Sequence, residues 1–132
     1  EVNHWGARKL TDKHRGYGGF LVEKNGHALV FGGDTAYTNA FSRLKARGTR
    51  VDLAILPIGA YDPYVYVHAN PEQAWQMRGE MGADYILPMH HSTFRLSREP
   101  VDEPRRRILA AAGKEQWRVV LTEIGETWTL PE

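Results

Sequence analysis

The stretch Leu29-Val30-Phe31-Gly32-Gly33-Asp34-Thr35-Ala36-Tyr37 decides how the rest of the chain is read. Its first three residues are apolar and two of them favour strands. A Gly-Gly turn follows, and then an acid. The pattern predicts a buried strand, a tight turn and a helix starting at once, with Asp34 or Thr35 as its cap. An acid beyond the carboxyl end of a strand is also where α/β folds place working groups. Read alone, the nonapeptide favours the cap. The segments Asn3-His4-Trp5 and Pro88-Met89-His90-His91-Ser92-Thr93-Phe94, on either side of it, give Asp34 a second reading as a metal ligand.

Before this stretch, Phe20 to Lys24 and His27 to Phe31 flank Asn25-Gly26, a strong short signal for a β-hairpin. Val2 to Trp5 reads as a strand end, and the Gly-rich polar run from Gly6 to Gly19 as a loop. After it, Ala36 to Arg47 places Tyr37, Ala40, Phe41 and Leu44 at helical spacing, with Gly48 as the stop. Val51 to Gly59 has little polar relief and predicts a central strand. Ala60 to Ala69 is a Tyr-rich loop. Asn70-Pro71-Glu72 starts a helix that runs to about Met81 and closes at Gly82. Tyr85 to Leu87 reads as a strand leading to His90, Arg95 to Pro100 as polar loop, and Val101 to Ala112 as a helix. Trp117 to Leu121 and Thr127 to Leu130 read as two further strands. The order β-β-α-β-α-β-α-β-β predicts an α/β fold with a mixed sheet.

The 132 residues suit one small domain or part of a larger one. Hydrophobic residues make up 42% and charged residues 25%, a globular composition. A formal net charge of +1 gives no electrostatic reason to expect nucleic acid as a partner. The absence of cysteine excludes disulfides, thiolate metal sites and a cysteine nucleophile. No apolar run in the sequence has membrane-spanning length and no signal-peptide pattern opens it, so cytoplasm is the default expectation. The abrupt start at Glu1-Val2-Asn3-His4 suggests a chain that enters in the middle of a fold.

His4, Asp34 and His90 each follow a predicted strand, so all three can converge on one sheet edge. Neutral imidazoles with a carboxylate suit zinc or iron. An aspartate can also bridge two metals through its two oxygens, and such a pair activates one hydroxide for attack on a phosphoryl or acyl centre. Taken singly, each histidine reads as a hydrogen-bonded structural residue. His14 and His27 read as surface residues, and Arg105-Arg106-Arg107 as a solvated helix face.

Five blocks occur in order: His4-Trp5, Phe31-Gly32-Gly33-Asp34-Thr35, Leu56-Pro57-Ile58-Gly59-Ala60-Tyr61-Asp62-Pro63, Asn70-Pro71-Glu72-Gln73-Ala74 and His90-His91-Ser92-Thr93-Phe94. Together they resemble the C-terminal half of a metallo-β-lactamase-fold hydrolase, most of all the N-acyl-phosphatidylethanolamine-hydrolysing phospholipase D type. The resemblance spans roughly the whole chain, residues 1–132. It implies one half of an αββα sandwich, with a mixed sheet and helices on one face. It also implies two zinc ions in the complete site, with iron or manganese as alternatives. His4, Asp34 and His90 are then metal ligands, Asp34 bridging both ions. His68 is an active-site histidine outside the ligand set. Tyr61, His68 and His91 line the substrate site, and Asp34 and His68 carry the catalytic roles. The implied reaction is attack of a metal-bound hydroxide on a phosphodiester of the N-acyl phospholipid type, or on a lactone or related ester. A small-molecule or lipid ester is the expected substrate.

Two features depart from that family. Its His-x-His-x-Asp-His motif, which supplies most of the metal ligands, is absent from these 132 residues. The family's Trp-Gly after the last ligand histidine is His91-Ser92 here. The missing motif gives the alternative expectation: a non-catalytic half or fragment that self-associates, or that binds a partner chain carrying the N-terminal half.

Overall fold

The computed structural model describes His4 and residues 17–131. The expected strand end at Val2 to Trp5, His4 apart, and the loop from Gly6 to residue 16 lie outside the described residues, as does His14.

The hairpin forms as predicted. Strands β1 (Phe20–Lys24) and β2 (His27–Phe31) pair antiparallel, with Lys24 opposite His27. Asn25 and Gly26 both take positive φ, 52° and 81°, the combination that a two-residue turn matching the strand twist requires. Strands β3 (Val51–Pro57) and β4 (Ala83–Met89) complete a four-stranded sheet of order β1-β2-β3-β4. The β2–β3 and β3–β4 pairs are parallel, so the sheet is mixed. β3 is central, as its composition predicts.

Helix α1 (Ser42–Ala46) is much shorter than the Ala36–Arg47 expectation. Residue 41 takes the N-cap position without a side-chain hydrogen bond, so neither Asp34 nor Thr35 caps a helix. Helix α2 (Pro71–Met81) matches its expectation closely. The Asn70 side chain accepts from the Gln73 N–H, the Gln73 side chain accepts from the Asn70 N–H, and Gly82 ends the helix in a left-handed conformation. Helix α3 (Glu103–Ala112) follows, and then a kinked 3-10 segment, Gly113–Arg118.

The last two predicted strands do not form. Trp117 and Arg118 belong to the 3-10 segment, and Val119 makes only an isolated parallel bridge to Ile86. Residues 127–130 carry no strand. Trp128 instead packs its ring 4.9 Å from that of Tyr85. The alternating apolar pattern here fits aromatic packing on a sheet as well as it fits sheet pairing.

The helices cover one face of the sheet. Val30, Ala54, Leu56 and Ile86 point into a core completed by Ala74, Met77 and Met81 from α2 and Ile108 and Ala112 from α3. Strand alternation sends the other side chains to the opposite face. There Phe20, Leu29, Phe31, Leu53, Ile55 and Leu87 stand in register across the strands, with Phe20 67% and Phe31 38% exposed. Among the described residues, no helix is long and apolar enough to cross a membrane.

Candidate functional site

Parallel strands deliver their carboxyl ends to one sheet edge. β2 continues into Gly32, whose N–H donates to the Ile55 carbonyl (2.9 Å), and Gly33, at φ 64°, turns the chain to Asp34. β3 continues through Ile58, whose N–H donates to the Met89 carbonyl (3.0 Å). β4 ends at Met89, and the next residue, His90, is in the left-handed region at φ 59°. The sheet edge therefore carries Asp34, the loop from Gly59 to Asp62, and the turn at His90 side by side.

The Tyr-rich loop brings in His68. A turn folds it back, with the Val67 and His68 N–H groups donating to the Tyr64 carbonyl at 2.9 Å each. The Ala69 N–H then donates to the Thr35 carbonyl (2.8 Å), tying this segment to the one that bears Asp34. The α2 cap at Asn70 fixes its far end. His4 docks on the same loop, with Nδ1 2.9 Å from the Val67 carbonyl oxygen.

His4, Asp34, His68 and His90 thus share one site. The His68 ring stacks on His90 (centroids 5.2 Å apart, planes 11° apart) and meets His4 edge-on (5.0 Å, 78°). His4 also meets Tyr17 edge-on at 4.9 Å. His90 Nε2 lies 3.8 Å from Asp34 Oδ1. Burial, and then the neighbouring His90 and His4, hold the His68 imidazole below its ordinary pKa, which favours the neutral ring at neutral pH. Among the described residues, the buried Nδ1 atoms of His68 and His90 have no hydrogen-bond partner.

Imidazoles beside a carboxylate are the donor chemistry of zinc and related metals. In donor type the residues fit. In number they do not close a coordination shell: among the described residues, no three His, Asp or Glu side chains form a group that could hold a metal ion. His68 lies against both His4 and His90.

Tyr61 and His91, expected to line the substrate site, have other partners. Tyr61 is buried, its hydroxyl donates to Glu103 (2.7 Å), and the Arg107 guanidinium covers its ring at 4.7 Å. Burial, then the Glu103 hydrogen bond, push its hydroxyl pKa up. His91 Nδ1 lies 2.8 Å from Ser92 Oγ, and burial lowers its imidazole pKa. His91 and Ser92 border a cavity of about 20 Å³ together with Gly59, Ala60, His90 and Glu99.

Sequence reading missed Glu99. It is only 8% exposed, and its carboxylate accepts from the backbone N–H groups of Ala60 (2.6 Å), Tyr61 (3.3 Å) and Asp62 (3.0 Å). Within a polar stretch, nothing in its sequence neighbourhood separates a buried carboxylate from a solvated one. Three consecutive N–H groups at a strand end, in need of an acceptor, were the only signal available.

Comparison with known proteins follows the same lines. A family model described as a beta-lactamase superfamily domain matches residues 1–91. An uncharacterized protein of Mycobacterium tuberculosis is 35% identical over 129 residues, covering 95% of this chain and 35% of that protein. The mitochondrial N-acyl-phosphatidylethanolamine-hydrolyzing phospholipase D of Saccharomyces cerevisiae is 34% identical over 133 residues, covering 94% of this chain and 28% of its own length. Among solved structures, a metallo hydrolase from the archaeon Ignicoccus hospitalis superposes with a TM-score of 0.58 at 26% identity, over 82% of this chain and 43% of that one. The chain spans about a third of the length of these two curated relatives. The mixed sheet with helices on one face, the residues gathered at its carboxyl edge and the family match agree: this chain belongs to the beta-lactamase superfamily and has the metallo-β-lactamase fold.

Proposed function

We propose that this chain is the C-terminal half of a metallo-β-lactamase-like domain and supplies part of the metal centre of a hydrolase. His4, Asp34 and His90 would contribute ligands to a centre of zinc, or of iron or manganese, completed by residues outside this chain, and Asp34 would be the carboxylate shared between the ions. The observation that supports this reading is the meeting of four segments at one sheet edge, where His90 Nε2 lies 3.8 Å from Asp34 Oδ1 and the His68 ring stacks on His90. A bound metal supplies Lewis acidity toward a phosphoryl or carbonyl group. The chain's own residues supply placement and proton handling. Asp34 sits at the more open side of the cluster. His68, whose imidazole burial holds below its ordinary pKa, stacks on His90 and would hold a substrate oxygen or pass a proton to a leaving group. Tyr61 and His91 would act on the substrate through the loops that carry them, of which Gly59 and His90 are in direct backbone contact. The yeast relative's name favours a phosphodiester of the N-acyl phospholipid type as substrate, with a lactone or other ester as the runner-up. In the full-length protein, Asp34→Ala should abolish hydrolysis of N-acyl phosphatidylethanolamine in detergent micelles. Retained turnover would overturn the reading.

The exposed apolar sheet face favours a second reading for the 132-residue polypeptide by itself. It is then a non-catalytic half that self-associates, or that becomes active when a partner chain carrying the further metal ligands covers that face. Sedimentation and apolar-dye binding separate the two. A monomer that binds no dye counts against the second reading.

A further inference from the structure

We propose that Glu99 is a positioning residue for His90: its buried carboxylate fixes the backbone of residues 60–62, and through Gly59 that backbone fixes the turn that carries the His90 imidazole. Only the ligand role of His90 rests on the function proposed above.

The clamp has two halves. In the first, Glu99 gathers three successive N–H groups, and the Arg98 N–H donates back to the Asp62 carbonyl at 2.9 Å, so the two segments are tied in both directions. Ala60, inside the clamp, holds φ at 62°, a left-handed conformation that a residue with a Cβ keeps only under outside restraint. In the second half, Gly59 lies so close to the His90 carbonyl that a Cβ at this position would overlap its oxygen. Any shift of residues 59–62 is therefore passed to His90 by direct backbone contact.

His90 depends on such support. It and Ser92 both hold φ at 59°, so the turn is strained at two residues that are not glycine. Histidines that bind metals are ordinarily oriented by a hydrogen bond at the second ring nitrogen. Among the described residues, His90 Nδ1 has no such partner. Its orientation comes from the backbone beneath it and from the stacked His68 ring.

The test uses the full-length protein with Glu99→Gln, and as a control Met81→Ala, a truncation in the α2 core. Two quantities are read: Zn2+ affinity, by competition with a chromophoric chelator, and the ring resonances of His90 by NMR in metal-free protein. Glu99→Gln is expected to weaken Zn2+ binding about 10–100-fold and to shift the His90 resonances. Met81→Ala, although it lowers the melting temperature, should leave both near wild type. Unchanged His90 resonances in Glu99→Gln, or equal shifts in both variants, overturn the proposal. If the wild-type protein takes up no Zn2+, the metal reading fails by itself and the His90 resonances alone decide the positioning role. Should Glu99→Gln not fold, Ser97→Ala removes the hydroxyl that hydrogen-bonds Glu99 and must shift the same resonances in the same direction.

Discussion

Replacing Gly59 by alanine concentrates the strain at the point where β3 and β4 deliver the site. The new Cβ would overlap the His90 carbonyl oxygen, come within 3.3 Å of the His90 carbonyl carbon and lie 3.4 Å from His91 Cα. All three are backbone atoms, so no side chain can swing away. The strands must part, and the Ile58 N–H to Met89 carbonyl bond stretches with them. Overpacking in a close-packed interior costs about 1–3 kcal/mol, and relief only through backbone movement puts this site at about 3 kcal/mol. For a chain of this size that lowers the melting temperature by roughly 10 °C. Gly79→Ala is the matched control. It lies within α2 with no atom within 4 Å of the added Cβ, so it should stabilise by about 0.5–1 kcal/mol. Urea denaturation of both variants measures the pair. A Gly59→Ala protein within about 0.5 kcal/mol of wild type would refute the tight backbone contact, and with it the route from the 59–62 loop to His90.

The capping box predicts that Asn70→Ala lowers stability by about 1 kcal/mol in urea titration, because the Gln73 N–H loses its side-chain acceptor. Glu99 predicts a pH dependence. Burial pushes its carboxyl pKa up, but hydrogen bonds from the Ser97 side chain and from the Asp62 and Ala60 N–H groups outweigh burial and hold it below the ordinary carboxylate value. A folded pKa below the unfolded one stabilises fully above the ordinary carboxylate range, and the contribution is lost as pH falls through the folded value. The stability gap between wild type and Glu99→Gln should therefore be widest near neutrality and shrink in acid. A gap that stays constant with pH would show that charge is not what Glu99 contributes.

Local signals carried the fold where they were chemically specific. Asn25-Gly26 fixed the hairpin because few residues tolerate two positive φ angles in succession. Asn70-Pro71-Glu72 marked the start of α2 for the same kind of reason, and the structure adds Gln73 to the cap. The unrelieved apolar run of β3 marked a strand buried between two parallel neighbours. Reading failed where tertiary packing set the outcome. Residues 36–41 have helical spacing, yet the chain there stays outside α1 and ties α2 instead: the Tyr37 hydroxyl donates to Glu80 (2.8 Å) and the Thr38 N–H meets Met77 Sδ (3.4 Å). Trp117 and Trp128 read as strand residues, but both pack as rings against Tyr85. At the site, His4, Asp34 and His90 were visible as histidines and an acid after expected strands, and the parallel strands explain why Asp34 and His90 meet, while His4 joins them through His68. Glu99 and the stacking of His68 on His90 depend on loop conformations that no local pattern encodes.

The most direct test of the central claim is the transition-metal content of the full-length protein purified without added metal, measured beside His90→Ala. The proposed role predicts bound metal in the wild type and a clear loss in the variant, with the fold retained by circular dichroism. A wild-type protein without metal, or a His90→Ala protein with undiminished metal, would contradict it.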